Sequence, residues 1–356
     1  MNANTGVDRR AHGLFTGADF QVNAGIVLFL HWIKRADSIR LEGEDDIEIR
    51  LEDGYRIYAQ AKAATHADTF GDGGRLREAF NTICENVVRD NCACAVYVTN
   101  DQEPFGKRIG STWLPEACSH FGYGELPANA RKKIDQLLKE HNVDAEYSSS
   151  IELLVFKFNG ADDGTRYAVV RDKIRELIED IGSCGLVGIK VVHGEWTRRL
   201  MLSAQDSDDS AFVSKADLVW VLAAGICESP DKGRWEEDYD REEVDRLCAR
   251  YKQVIEDASN RFSTVTQVMS DFDDFCSAET GKSVKQQRDD FIREKASTYV
   301  DELGLSGCPE NEASAVSGEV VRKILISRDQ IEKVREVTHL ADRVAVGTKG
   351  VQHRYV

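Results

Sequence analysis

The chain has 356 residues, of which 42% are hydrophobic and 30% are charged, a composition typical of a soluble globular protein of about two domains. Its formal net charge of −16 argues against non-specific electrostatic binding to nucleic acid, because the phosphate backbone is bound through many basic side chains. The most apolar run, residues 24–33, is too short for a transmembrane helix, and no secretory signal is visible, so we expect a cytoplasmic protein.

The first predicted element is a helix over residues 19–35. A capping-box-like start, Thr16-x-x-Asp19, precedes it, and apolar side chains follow around most of its circumference. Such a pattern predicts a helix that is buried on most sides. Gln21 lies in its first turn.

A short strand over 38–41 and a β-hairpin over 46–62 follow. We predict a three-residue loop that ends at Gly54, which takes the positive-φ position of a bulge. This loop places Ile49 opposite Ile57 and gathers the apolar side chains on one face. A two-residue loop would shift the register by one and mix apolar with polar side chains in each facing pair, which burial disfavours.

The same register brings Asp46, Gln60 and Lys62 together on the other face. Asp46 lies opposite Gln60, and Lys62, two residues further along, points the same way. A carboxylate and an amide oxygen are hard ligands suited to Mg²⁺, which binds one or two protein carboxylates and keeps several waters. A metal there can lower the pKa of a bound water, and a lysine ammonium can stabilise charge on a phosphate.

The next elements complete an α-β-β-β-α-β order. Residues 75–89 place apolar side chains at i, i+4 and i+7, which predicts a helix with one buried face. Residues 93–99 form a continuous apolar run, which predicts a strand buried on both sides. We therefore predict an α/β fold with a mixed sheet flanked by helices.

Asp46 with Gln60-x-Lys62 resembles the D…(D/E/Q)xK signature of the PD-(D/E)xK, or restriction-endonuclease-like, nuclease superfamily. With the preceding residues 42–45, it is similar to the N-terminal DNA endonuclease domain of bacterial antiphage effectors, which occurs in CD-NTase-associated and Lamassu-type systems. The resemblance implies a restriction-endonuclease-like αβββαβ core over 16–100 and a Mg²⁺- or Mn²⁺-dependent deoxyribonuclease. It makes Asp46 and Gln60 metal ligands and catalytic residues, and makes Lys62 the catalytic residue that positions water and stabilises charge.

The sequence departs from the family pattern at one position, because Gln60 replaces the second carboxylate. Three acids near it could complete the metal site: Glu42, Asp45 and Glu48. The turn that holds Gln21 is similar to the opening G-x-x-[YF]-Q helix of the family, whose polar residue can approach the active site. A hydrogen-bonded core glutamine is an equally good interpretation of Gln21.

Residues 1–205 are predicted to form the nuclease domain, in which 101–205 elaborate the core, and 206–356 a mostly α-helical regulatory or partner-binding domain. The polar stretch 205–210 is the clearest linker by composition. The other predicted elements are a helix at 128–141, a strand at 151–158, a helix at 167–181, and helices at 215–227, 236–258, 261–277, 284–303 and 319–338. Residues 186–202 give a mixed pattern that we assign to neither class.

The nuclease interpretation implies double-stranded DNA as substrate, cut with little sequence preference, because no residues suggest base readout. The length after residue 205 favours a Lamassu-type arrangement, with an SMC-like ATPase and an accessory defence subunit as partners and a homo-oligomer as the active form. Residues 201–300 hold 22 acidic and 13 basic side chains, a net of −9 out of −16. This charge predicts that the region disfavours DNA until subunits assemble or a basic partner surface is removed.

Two other interpretations stay open. In the first, the nuclease fold is catalytically degenerate and acts as a DNA-binding or adaptor subunit, which the missing carboxylate at Gln60 supports. In the second, the protein is a helical interaction protein in which Gln60-x-Lys62 is accidental. That second interpretation predicts that these two side chains point apart or into solvent, without Asp46 nearby.

Overall fold

A computed structural model describes most of the chain. The described residues are 9–63, 74–106, 109, 114, 118–158, 166–181, 188–205, 211–228, 241–278 and 282–340. The chain divides into two compact units. The first comprises residues 1–182, 188–225 and 337–356, and the second comprises 183–187 and 226–336.

A seven-stranded mixed sheet forms the centre of the first unit. Its strands are β1 (Ala36–Leu41), β2 (Ile47–Leu51), β3 (Arg56–Lys62), β4 (Cys92–Thr99), β5 (Cys118–Gly122), β6 (Ile151–Phe156) and β7 (Val213–Ser214). Their spatial order is β5-β6-β4-β3-β2-β1-β7. Strands β3, β4 and β6 run parallel to one another, whereas the other neighbouring pairs are antiparallel.

The register of β2 and β3 is the one that the apolar pattern predicts. Ile49 lies opposite Ile57, and Ile47 lies opposite Ala59. The loop closes where the Leu51 N–H donates to the Tyr55 carbonyl at 2.8 Å. Gly54 has a φ of +89°, a conformation that glycine adopts without the steric cost that a Cβ brings.

Helices cover both faces of this sheet. Those that belong wholly or mostly to the first unit are α1 (Arg9–Trp32), α2 (Gly74–Val87), α3 (Ala128–Glu140), α4 (Ala168–Asp180), α5 (Ile189–Ser203) and α6 (Lys215–Glu228). Helix α1 lies on the apolar face of the hairpin, where Gly25 approaches the side chains of Ile39 and Leu41. Helices α2 and α3 cover the other face and share a core with Tyr97 of β4. The predicted α/β class with flanking helices is confirmed.

The first six elements follow the predicted order, α1-β1-β2-β3-α2-β4. Strands β5 and β7 were not predicted, and residues 186–202 prove to lie largely in helix α5. Since β7 pairs with β1, the sheet takes in residues beyond the predicted domain boundary at 205. Most of the predicted linker, residues 206–210, lies outside the described part of the chain.

The second unit is helical, as predicted. Its helices are α7 (Arg241–Arg250), α8 (Lys252–Asn260), α9 (Phe262–Ala278), α10 (Val284–Lys295) and most of α11 (Glu310–Thr338). Phe291 and Val320 are fully buried in its core. The helix predicted over 236–258 is divided at Tyr251, and the one predicted over 284–303 continues after Lys295 as a 3₁₀ turn. Across both units, the described helices include none that is long and apolar enough to span a bilayer.

Candidate active site

The predicted site residues lie at one edge of the sheet, where the parallel strands β3 and β4 end. Asp46 comes one residue before β2. Gln60 and Lys62 are among the last three residues of β3. In the register of β3 and β4, Lys62 lies beside Thr99, whose Oγ1 donates to the Lys62 carbonyl at 2.9 Å. This is the edge at which ligands bind in α/β sheets, outside the carboxyl ends of parallel strands.

The carboxylate of Asp46 is the centre of the site. The backbone N–H of Ala61 donates to its Oδ2 at 2.8 Å, and the Nε2 of Gln60 donates to the same oxygen. The side chain of Gln21 also hydrogen-bonds to Asp46, and Gln21 lies in the middle of α1 rather than in its first turn, because the helix begins at Arg9 and not at residue 19. The structure thus brings together the acid, the amide and the helix residue.

Burial and hydrogen bonding have opposite effects on Asp46. Desolvation raises the pKa of this carboxyl above its ordinary value and is the largest effect. The Ala61 hydrogen bond, the positive charge of Lys62, and the hydrogen bonds from Gln60 and Gln21 each lower it. The site therefore gives a half-buried carboxylate several donors that stabilise its charged form.

Lys62 belongs to the same edge but has a second acidic neighbour. Its Nζ lies 3.1 Å from the Oε1 of Glu78 on α2, while its charge still acts on Asp46. The side chain of Lys62 is 24% exposed and that of Glu78 is 66% exposed. The interpretation in which Lys62 and Gln60 lie far from Asp46 is therefore wrong.

Asp45 is directed away from the open edge and into the protein. Its Oδ1 accepts the Asp46 N–H at 2.9 Å, and its Oδ2 accepts a hydrogen bond from Nδ2 of the fully buried Asn86 on α2. Burial raises the pKa of Asp45 to about 7, and the adjacent Asp46 charge contributes to the rise. These contacts suit a residue that holds the turn before β2 better than a metal ligand.

Glu48 is held in buried ion pairs, whereas Glu42 is exposed in the turn before β2. Glu48 is fully buried, and its two carboxylate oxygens accept from Arg40 at 2.6 Å and from Arg56 at 2.5 Å. An ion pair on each oxygen leaves little room for a metal at Glu48. Glu42 has a φ of +51° in the turn before Asp46 and an exposed side chain.

The donor set fits Mg²⁺ or Mn²⁺ bound mostly by water. Within the described ranges, no group of three or more His, Cys, Asp or Glu side chains could hold a metal ion. A divalent cation would therefore be held by the Asp46 carboxylate. The side-chain oxygen of Gln60 would be a second ligand once the Gln60 amide flips. Mg²⁺ accepts such a site because it usually keeps several waters.

Two contacts of this site come from α2 and were not predicted from the sequence. Asn86 contacts Asp45 in the turn before β2, and Glu78 contacts Lys62 at the end of β3, and both are far along the chain from these partners, so no local pattern connects them. Asn86 does leave a trace, because it lies on the otherwise apolar side of α2. A buried amide on such a face indicates a polar partner on the opposite element.

Comparison with known proteins gives little further information. No family model matches the chain, and no curated protein matches it. Among solved structures, it is similar to the Acinetobacter baumannii Cap4 SAVED/CARF-domain containing receptor with the cyclic trinucleotide 3'3'3'-cAAA, at 12% identity and a TM-score of 0.36. The same receptor with 2'3'3'-cAAA gives 13% identity and a TM-score of 0.34. Each match covers 59% of this chain and 45% of the receptor, so the chain spans less than half of its length, and at these TM-scores the likeness supports no argument.

Proposed function

We propose that this protein is a divalent-metal-dependent DNA endonuclease. The observation that carries the proposal is the contact of Asp46 with Gln60, at the edge where Lys62 also ends its strand. The register that makes this contact was predicted from apolar pairing, independently of the D…QxK resemblance. Two separate arguments therefore lead to the same three residues.

The residues of the chain have distinct tasks in this proposal. Asp46 supplies the charged ligand, and its donors from Ala61 and Gln21 hold the carboxylate in place. A bound Mg²⁺ would lower the pKa of a water and neutralise charge on a phosphate oxygen. Lys62, whose ammonium is held at the same edge, orients the attacking water and stabilises the negative charge that develops at phosphorus.

The biological setting is part of the proposal. We place the activity in bacterial antiphage defence, in the cytoplasm, with an SMC-like ATPase and an accessory subunit that restrain the nuclease until infection. The acidic balance of residues 201–300 supports restraint, because it repels DNA from the isolated chain. Release and homo-oligomerisation would then bring several catalytic edges to one duplex.

A catalytically degenerate adaptor is the second candidate. The neutral Gln60 favours it, because in this structure its amide donates to Asp46 and so already satisfies the charge that a metal would neutralise. In that case the edge binds DNA or a partner subunit without cutting phosphodiester bonds.

A plasmid-nicking assay distinguishes the two candidates. The full chain is incubated with supercoiled plasmid and Mg²⁺ or Mn²⁺, with EDTA as a control, alone and with its co-purifying proteins. We expect nicking by the wild type, and loss of nicking in Asp46→Asn and in Lys62→Ala. Lys132→Ala, which removes an exposed lysine of α3, serves as the matched control and should retain activity. Nicking that survives Asp46→Asn would disprove the proposed site, and DNA binding without nicking in every condition would favour the adaptor.

A further inference from the structure

Glu78 contacts Lys62 of the proposed site but has no part in the mechanism proposed above. It lies in the second turn of α2, and its Oε1 lies 3.1 Å from the Nζ of Lys62. Among the other nearby acids, Asp45 is engaged by Asn86, and Glu48 by two arginines. Among the acids that the structure describes, Glu78 is thus placed to act on the site through Lys62.

Lys62 can help or hinder a metal at this edge. Its positive charge acts on Asp46, and that attraction strengthens as water is excluded from around a half-buried carboxylate. An ammonium and a divalent cation bind the same carboxylate oxygens, so an ammonium that moves onto Asp46 competes with the metal. The contact with Glu78 gives the ammonium another carboxylate.

We propose that Glu78 positions Lys62, holding its ammonium off Asp46 so that this carboxylate stays available to a divalent cation. The inference rests on the metal site of the proposed function. Charge counting supports it, because Asp46 and Lys62 together are neutral, whereas Glu78 adds the negative charge that position 60 lacks. Groups that hydrogen-bond directly to a metal ligand typically change metal affinity by about 10- to 100-fold when they are removed, and Glu78, which acts one contact further out through Lys62, should not exceed the lower end of that range.

The test measures Mn²⁺ binding directly, from the electron paramagnetic resonance signal of the free ion titrated with the full chain. We expect Glu78→Gln to weaken binding about tenfold, the lower end of that range, because the pair is partly exposed and screened. Glu85→Gln removes the same charge from an exposed position of the same helix and should bind like the wild type. Asp46→Asn should abolish binding, and Glu78→Asp should lie between the wild type and Glu78→Gln.

Salt and melting controls separate positioning from a general effect. At about 1 M salt, where the Debye length is about 3 Å, the difference between Glu78→Gln and the wild type should shrink. The melting temperature of Glu78→Gln should match that of the wild type, because an exposed ion pair contributes little to stability.

Each outcome decides something. Unchanged or tighter Mn²⁺ binding in Glu78→Gln overturns the positioning role, and so does an equal loss in Glu85→Gln. If the wild type binds no Mn²⁺ that depends on Asp46, both this inference and the proposed nuclease fail. If Mn²⁺ binds as expected but plasmid is never nicked, the nuclease proposal fails and the positioning role of Glu78 stands.

Discussion

Replacing Gln60 by glutamate tests whether the edge of the sheet is built for a metal. The change removes the amide that donates to Asp46 and puts a second carboxylate against it. The lost hydrogen bond to a charged group is worth about 1.5–3 kcal/mol. Two like charges about 4 Å apart repel each other by about 4 kcal/mol at an effective dielectric constant of about 20.

Protonation limits the total penalty. At about pH 7.5 the new carboxyl can take up a proton instead, at about 1.36 kcal/mol for each of the roughly three pH units that separate it from an ordinary glutamate pKa. The protonated carboxyl can donate to Asp46 in place of the amide, so we expect Gln60→Glu to lose about 4 kcal/mol in EDTA, the cost of that protonation. For a unit of this size that corresponds to a fall of roughly 8–16 °C in melting temperature.

A divalent cation should reverse the loss, because it binds the folded pair of carboxylates and not the unfolded chain. The assay is thermal unfolding of Gln60→Glu and the wild type, each in EDTA and in Mn²⁺. Gln136→Glu is the matched control, since the amide of Gln136 donates to Glu140 at 2.8 Å on the exposed surface of α3. We expect that control to lose only about 0.2–0.5 kcal/mol and to ignore Mn²⁺. A Gln60→Glu protein that melts at the same temperature with and without Mn²⁺ would refute the metal site.

Three further predictions concern the frame around the site. Glu48→Gln leaves two arginines without their buried carboxylate and should reduce the free energy of unfolding, measured in urea, by about 3–5 kcal/mol. The control Glu44→Gln removes an exposed ion pair and should cost less than about 1 kcal/mol. Similar losses in the two variants would contradict the burial argument. Gly54→Ala should cost about 1–2 kcal/mol, because its φ of +89° is unfavourable for a residue with a Cβ, and an unchanged urea midpoint would contradict that reasoning. Burial lowers the pKa of His193 to about 4, so between pH 6.5 and 4 the unfolded chain binds more protons than the folded protein. The contribution of neutral His193 to the free energy of unfolding is therefore fully present above pH 6.5. It falls by up to about 3 kcal/mol as the pH is lowered towards 4. His193→Gln should flatten this dependence in urea unfolding measured across that range, and an unaltered slope would rule His193 out as its source.

The hairpin could be predicted because its information is local. Only one register places Ile49 opposite Ile57 with all the polar side chains on the other face, and Gly54 fixes the loop that gives it. Once that register is set, Asp46 and Gln60 must meet. The central contact of the site therefore follows from a pattern of period two and one glycine.

What could not be predicted depends on long-range contacts or on weak periodicity. Strand β7 has two residues, too few to show alternation, and exists because β1 offers a free edge. Helix α5 exposes Val191 and Leu202, so its apolar side chains do not mark a single buried face. Glu78 and Asn86 reach the site from α2. Asn86 shows only as an amide on an apolar helix face, which does not identify its partner, and the sequence around Glu78 gives no signal of its contact.

The pairing of β1 with β7 sets an order of events during synthesis. Ile39 leaves the ribosome early, but its partner Val213 emerges much later, after the other strands that the structure describes in this sheet. Until then the backbone N–H and C=O groups on the outer side of β1 are unpaired and can bind a strand of another chain. A fragment that stops at residue 205 would leave this side of β1 permanently unpaired. A fragment of the first unit designed to fold alone therefore has to include residues 213 and 214.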